Sequence, residues 1–187
     1  SEVVVYRSLI QAGFDMFLIC DPGARDWQAL EQAGATVLQR RVRNRLDFSA
    51  VPVIRKILDE RQVDLIYAPR NTTLSVCLMA ARGRPMKIAG YRGTVGHVHR
   101  YDPASWLTYL HPRVDRIVCV SEAVRQYLVG LNIAPNRLVT VYKGHNPDWY
   151  SHLSAPPLST FGIPDGAFVV GFVGNMRPVK GVDVLIE

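Results

Sequence analysis

The sequence has no apolar run approaching the roughly 18 residues that a membrane-spanning helix requires. Its start lacks the basic, apolar and small-residue pattern of a secretory leader. Both absences predict a cytoplasmic protein. The three cysteines, Cys20, Cys77 and Cys119, show neither paired nor metal-ligand spacing, which argues against a disulfide framework and against a zinc site. Cys20 and Cys119 lie in apolar runs and read as reduced core residues. No Gly-x-Gly-x-x-Gly follows a strand with an acidic residue downstream, which argues against a nicotinamide-dependent dehydrogenase. No Asp-x-Asp pair is present to hold a divalent ion. The aromatic residues do not interleave with the basic ones as a stacking platform for nucleic acid would require. There is no internal repeat and no low-complexity tract.

What is present is a chain of 187 residues, 48% of them hydrophobic, with a formal net charge of +6. That length suits one domain, or one domain and a fragment of another. A basic balance suits phosphate-rich ligands, anionic membrane surfaces or nucleic acid and does not by itself choose among them.

Taken in order, short apolar runs alternate with amphipathic ones. Ser1–Tyr6 reads as a strand on β-branched content alone, but Arg7–Ala12 followed by Gly13 reads as a helix end with a glycine cap. Phe14–Cys20 is a strand closed by the turn residues Asp21-Pro22-Gly23. Asp26–Ala33 is helical, and Ala35–Leu38 is the next strand. Phe48–Arg61 has helical spacing with Val51, Ile54, Ile57 and Leu58 on one face, and Pro52 fits its first turn. Val63–Ala68 is a strand. Asn71 or Thr72 is expected to cap a helix running to Arg82. Met86–Tyr91 is a strand, Pro103–Leu110 a short helix and Arg116–Val120 a strand. Ser121 is a natural N-cap for Glu122–Leu131. Leu138–Tyr142 follows as a strand. Asp148–Gly166, rich in proline, serine and glycine, reads as a linker, because Pro156-Pro157 fits neither a helix nor a central strand. The predicted division is a domain over 1–147, a linker over 148–166 and the beginning of a second domain over 167–187.

Such alternation predicts an α/β protein with a doubly wound, Rossmann-like parallel sheet. In that architecture the loops leaving the strands gather on one edge. Those loops are Arg40–Arg45, Pro69–Thr73, Arg92–Arg100, Ser121-Glu122 and Lys143–Asn146. The first carries Arg40, Arg41, Arg43 and Arg45, which read either as a solvated surface or as a patch for an acidic acceptor or an anionic membrane. The third carries Arg92, Gly93, Thr94, Gly96, His97 and His99. His111 and His152 read as surface residues.

The last stretch, Gly171–Glu187, is the most specific. The apolar run Phe168–Val173 reads as a buried parallel strand. Gly174 permits a tight turn, Arg177 and Lys180 place two cations at the strand's end, Gly181 allows a close approach, and Val182–Ile186 begins a helix. A glycine turn with cations there suits a phosphate-bearing ligand.

This stretch resembles the G-x-x-G-R-x-x-x-x-K-G-x-x-x-L-I-E signature of family 4 of the retaining glycosyltransferases, which have the GT-B fold. Val114–Arg125 resembles that family's D-x-I-x-x-x-S-x-x-x-R segment, and Val141–Asn146 its V-x-N-G-x-D segment, with Lys143 and Asn146 in place of the usual Asn and Asp. Arg92 stands where many members have a histidine. Asn175 stands where the usual arginine follows the glycine, with Arg177 two residues on. The resemblance favours a helix at the start, with Ser1-Glu2 as the tail of a Gly-Gly-x-Glu turn that follows a first strand.

The resemblance implies the acceptor-side half of a GT-B fold plus the start of the nucleotide-sugar domain. Arg177 and Lys180 would be the catalytic cations on the donor diphosphate, with Gly174 and Asn175 beside them. Arg92, Gly93, Thr94, His97, His99, Ser121, Glu122, Lys143 and Gly144 would face the acceptor. It also implies a nucleotide-sugar donor, a glycan or glycolipid acceptor, no metal and no further cofactor, and no nucleic-acid partner. Contact with the inner face of an anionic membrane and self-association through the Phe168–Val173 strand are further expectations. The fragment alone is expected to be inactive. A GT-B sugar-nucleotide epimerase and a non-catalytic acceptor-binding module are the competing readings.

Overall fold

Helix and strand alternate along most of the chain in the computed structural model, which describes residues 2–144, 146–176 and 180–187. Two compact units divide it, Ser1–His145 and Asn146–Glu187. The first unit begins with α1 (Glu2–Gln11), β1 (Phe17–Cys20), α2 (Trp27–Gln32) and β2 (Thr36–Gln39). It continues through α3 (Ala50–Glu60), β3 (Leu65–Ala68), α4 (Asn71–Ala80) and β4 (Lys87–Arg92). It ends with α5 (Pro103–Trp106), β5 (Arg116–Cys119), α6 (Glu122–Gly130) and β6 (Leu138–Thr140).

All strand pairs are parallel, as the alternation predicts. β1 pairs with β2, and β3-β4-β5-β6 form a four-stranded sheet in sequence order. Consecutive parallel neighbours require a crossover between them, supplied by α2, α4, α5 and α6 in turn. Among the described residues no ladder joins β1 to β3. The sheet expected as one is thus hydrogen-bonded as two.

The starting segment is helical, against the β propensity of Val3-Val4-Val5. Tertiary contact overrides propensity here: α1 packs on α2, and Ile10 lies 3.5 Å from where a Cβ on Gly34 would be. Gly13 closes this helix with φ +90°, a conformation that favours glycine.

The core shows why the other helices sit where they do. Ala50, Ile54 and Leu58 of α3 are buried at the four-residue spacing that places side chains on one face. Val124 and Leu128 do the same for α6. Leu74, Ser75, Val76, Leu78 and Ala80 of α4 are all buried, so this helix is covered on more than one side. Leu74, Ile88, Ile117 and Leu128 are the largest wholly buried side chains, and each such burial contributes about 1.5–3 kcal/mol. Gly90 of β4 lies directly under α4, and a Cβ there would stand 3.0 Å from Leu74 Cδ2.

Two local expectations are corrected. The residue at the α4 N-cap is Arg70, in extended backbone and without a side-chain cap. Asn71 and Thr72 are already inside the helix, and the Thr73 hydroxyl donates to the Arg70 carbonyl at 2.8 Å. His111, expected on the surface, is half-buried: its Nδ1 accepts the Arg113 N–H at 3.1 Å, and Arg137 donates to its carbonyl at 2.9 Å.

The second unit contains short 3-10 turns at Pro147–Tyr150 and Leu158–Phe161, and α7 (Val182–Ile186). The strand expected over Phe168–Val173 does not form, and Phe168 and Val173 are 95% and 102% exposed. A strand obtains its backbone hydrogen bonds from a neighbour, and among the described residues of this unit there is none. Gly181 is also reassigned. Nothing lies within 4 Å of its would-be Cβ, and its φ of +62° at the start of α7 is what calls for glycine.

Candidate functional site

Because the strands are parallel, their carboxyl ends share an edge, and the five loops named above meet there beside the turn that follows β1. After β1, Asp21 accepts a two-pronged contact from Arg41 (2.7 and 3.1 Å). That fork, with the Gly23 N–H, holds the Asp21 carboxyl below the usual carboxylate range. After β2, the Arg40 N–H donates to the Cys20 carbonyl at 2.7 Å, so the arginine loop leaves directly beside the β1 turn. The Asp47 carboxylate closes that loop, accepting from the Arg43 N–H (3.0 Å) and the Ser49 hydroxyl (2.6 Å). These two donors keep its carboxyl low as well.

The buried Ser75 hydroxyl on α4 donates to the Arg45 carbonyl at 2.7 Å. This bond ties the arginine loop to the four-stranded sheet. The charge of Arg70, after β3, also reaches Asp21. That of Arg45 reaches Asp102.

The loop after β4 is held from inside. Arg92 is 7% exposed. Its guanidinium donates to the carbonyls of Thr94 (2.8 Å) and Gly96 and lies 5.2 Å from the Tyr109 ring centroid. The Tyr127 hydroxyl accepts from the Val98 N–H and donates to the Val98 carbonyl, at 3.2 and 2.5 Å. The Ser105 hydroxyl accepts the His99 N–H at 3.1 Å and donates to Asp102 at 2.8 Å. Ser105 and the Ala104 N–H in turn lower the Asp102 pKa. Between these ties, Thr94, His97 and His99 are exposed. His97 has φ +57°, uncommon for a residue with a side chain and frequent at functional sites.

After β5, Ser121 accepts the Val124 N–H at 3.4 Å and caps α6, as its position predicts. Glu122 accepts from Gln126 (2.6 Å), Thr140 (3.0 Å) and Arg125 (3.0 Å). Those donors, Gln126 foremost, hold its carboxyl low. Lys143 and Gly144, beyond β6, are exposed.

The edge therefore brings together Arg40, Arg41, Arg43, Arg45, Arg92, Gly93, Thr94, His97, His99, Ser121, Glu122, Lys143 and Gly144, all within the first unit. Within that group Arg92 points its charge into its own loop, and Glu122 has its oxygens occupied by protein donors. Gly174, Asn175 and Lys180 are exposed residues of the second unit, and Arg177 lies outside the described residues. Sequence reading missed Tyr109, Tyr127, Asp102 and Ser105, which hold the histidine loop. Only Asp102 carried a local signal, an N-cap aspartate before Pro103 at the first helical position. The three thiols are free, and burial raises the pKa of each, that of Cys77 to about 12. Among the described residues no three His, Cys, Asp or Glu side chains converge on a metal site, and no helix is long and apolar enough to cross a membrane.

The sequence profile of Glycosyltransferase Family 4 matches residues 4–149. The chain belongs to that family. The family-4 chain also resembles solved structures. A glycosyltransferase from Rickettsia africae ESF-5 superposes with a TM-score of 0.72 at 18% identity, over 97% of this chain and 50% of that one. Anabaena Alr3699/HepE in complex with UDP and glucose gives 0.71 at 16% identity, over 98% and 51%. The same protein with UDP alone gives 0.64 at 18%, over 91% and 48%. A comparison with curated proteins returns no match. At these identities the likeness is one of fold, and the family-4 chain spans about half the length of the structures it matches.

Proposed function

We propose that this chain is the acceptor-side half of a retaining glycosyltransferase that moves a sugar from a nucleoside-diphosphate sugar to a glycan or glycolipid acceptor. The observation that carries the reading is the family match over residues 4–149, which spans all five loops of the basic edge. Support for the donor class comes from the UDP and glucose bound by Anabaena Alr3699/HepE.

In this reading the exposed Thr94, His97 and His99 orient the acceptor hydroxyl over the sugar, an entropic contribution. The bond from the sugar's anomeric carbon to the diphosphate oxygen breaks, the acceptor oxygen takes its place, and the hydroxyl proton passes to the departing diphosphate oxygen. Negative charge grows on the departing diphosphate. Lys180 and Arg177, in the same stretch of sequence as Gly174 and Asn175, stabilise it electrostatically without a metal.

The test is transfer by the parent protein from UDP-, GDP- and ADP-sugars, with the product's anomeric configuration read by NMR. Retention is expected, together with a loss of about 10²–10³-fold in kcat for Lys180→Gln. Release of nucleotide from none of these donors would sink the reading. The isolated chain is expected to be inactive, because Gly174, Asn175 and Lys180 stand in a unit with no buried side chain among its described residues. A second reading, a non-catalytic acceptor-binding module, needs only the basic edge of the first unit. Acceptor binding without nucleotide release by the parent protein would decide for it.

A further inference from the structure

Four arginines between positions 40 and 45 repel one another unless each finds an acceptor, and the structure supplies acceptors for only part of the cluster. Arg41 is matched by its fork on Asp21. Arg40 uses Nη2 on the Ser49 carbonyl (2.7 Å) and hydroxyl (3.2 Å). Its Nε is shielded from solvent and has no partner among the described residues, and a buried donor left unpaired is unfavourable. The Arg43 guanidinium makes no hydrogen bond among the described residues, although its backbone N–H is fixed by Asp47.

These residues enclose a space. Pro22, Gln39, Arg40, Arg41, Arg43 and Ser49 line an open cavity of about 450 Å³. Three arginines are among the residues that line it, and no acidic residue is. Asp21 offsets one charge. Asp47, the other nearby acid, has its oxygens turned to the Arg43 N–H and the Ser49 hydroxyl. The start of α3, beside Ser49, adds the positive end of an eleven-residue helix. Asp47 nevertheless keeps its charge and acts on Arg43, so about one positive charge is left without a counter-charge in a concave, hydrogen-bond-donating site.

We propose that this cavity binds a phosphoryl group, borne by the acceptor or by a lipid. A phosphate monoester carries up to two negative charges and three acceptor oxygens. Its several oxygens match the free donors of Arg40 and Arg43 arriving from more than one side, whereas a carboxylate is satisfied by a single fork. A nucleic acid is the poorer fit, because no aromatic side chain lines the cavity to stack a base. The word "acceptor" rests on the transferase reading, but the phosphoryl site does not. On the same loop Leu46 and Phe48 are 49% and 67% exposed, placed to touch apolar material next to a bound headgroup.

The test uses two probes with the purified protein. Inorganic pyrophosphate is titrated by calorimetry. Vesicles of phosphatidylcholine, with and without phosphatidylglycerol, are scored by co-sedimentation. The variants are Arg43→Gln and Arg40→Gln, with Arg82→Gln as a charge-matched control beyond the opposite end of α4. Circular dichroism checks that each folds. Binding of either probe that weakens about tenfold or more in Arg43→Gln, and is unchanged in Arg82→Gln, supports the site. Pyrophosphate binding alone assigns a soluble phosphate. Vesicle binding that also weakens in Phe48→Ser assigns a lipid-borne one. Binding of neither probe, or binding lost equally in Arg43→Gln and Arg82→Gln, overturns the proposal. If Arg40→Gln unfolds, Arg43, whose side chain makes no hydrogen bond among the described residues, still decides the outcome.

Discussion

Ile117 of β5 and Val173 near the C-terminus both sit in short apolar runs of similar composition, Arg116-Ile117-Val118-Cys119 and Phe168–Val173. Ile117 is wholly buried and Val173 wholly exposed. Ile117 has β4 on one side, β6 on the other and α6 packed on the sheet. Residues 167–176 have no neighbouring strand among the described residues of their unit. Apolar content is therefore only half of what makes a core. The other half is a set of partners that covers the strand's faces and both of its edges.

The largest test of this contrast is truncation in the two runs. Ile117→Ala is expected to lower the unfolding free energy by about 2–5 kcal/mol, and Val173→Ala to change it by no more than about 0.5 kcal/mol. Urea unfolding measures both, and equal losses would break the comparison. In sedimentation, Phe168→Ser with Val173→Ser is expected to reduce any concentration-dependent self-association and leave stability in place.

Next in size is Gly90→Ala. The new methyl would meet Leu74 at 3.0 Å, and forcing extra volume into a packed core costs about 1–3 kcal/mol. The same substitution at Gly144, with nothing within 4 Å, is expected to be silent in thermal unfolding.

Acid probes the polar supports of the same unit. Burial raises the Asp115 pKa, but the Ile88 N–H (2.9 Å) and Lys87 (3.2 Å), with the charge of Arg113, outweigh it and leave the carboxyl below its usual value. Burial, with the charges of Arg113 and Arg137, holds the His111 imidazole below the usual histidine range. For both groups the folded state binds protons less readily than the unfolded chain. Their contribution is present above the unfolded pKa and is lost as pH falls. Stability is therefore expected to decline from about pH 6.5 downward, His111 acting first. His111→Gln should flatten the upper part of that decline, and a profile flat to pH 4 in the unaltered protein would refute it. Asp115→Ala is expected to cost about 1–3 kcal/mol at pH 7 by leaving the Ile88 N–H unpaired.

The smallest effect is expected at the α6 cap. Ser121→Ala removes the bond to the Val124 N–H and should cost about 0.5–2 kcal/mol. Gly181 begins α7 with no side-chain cap, so its change to alanine should fray only that short helix, which amide exchange can read.

Much of this was legible in the chain. Ser121 before Glu122, the spacing of Ile54 and Leu58, and the apolar runs ending at Ala68 and Tyr91 are local signals, and local signals place elements. The illegible parts depend on pairings across distance. Nothing near Arg92 in sequence says that the ring of Tyr109, seventeen residues on, lies against its guanidinium. Nothing near Arg41 says that Asp21, twenty residues earlier, takes its fork. The Phe168–Val173 strand misled for the same reason, since its composition says what it can bury but not whether a neighbour is there. The edge as a gathering place followed from topology. Which of its side chains remain free did not.

The loop from Arg92 to Arg100 gives that freedom a meaning. Arg92, Tyr127 and Ser105 tie down its backbone at five points, so its shape is set before any ligand arrives. A surface of this kind has little disorder left to lose on binding, and equally little capacity to remould itself. It selects by refusing molecules that do not fit, where a slack loop would wrap around many. Cutting one tie, as in Tyr127→Phe, would therefore widen the range of accepted partners before it weakened the grip on any one of them.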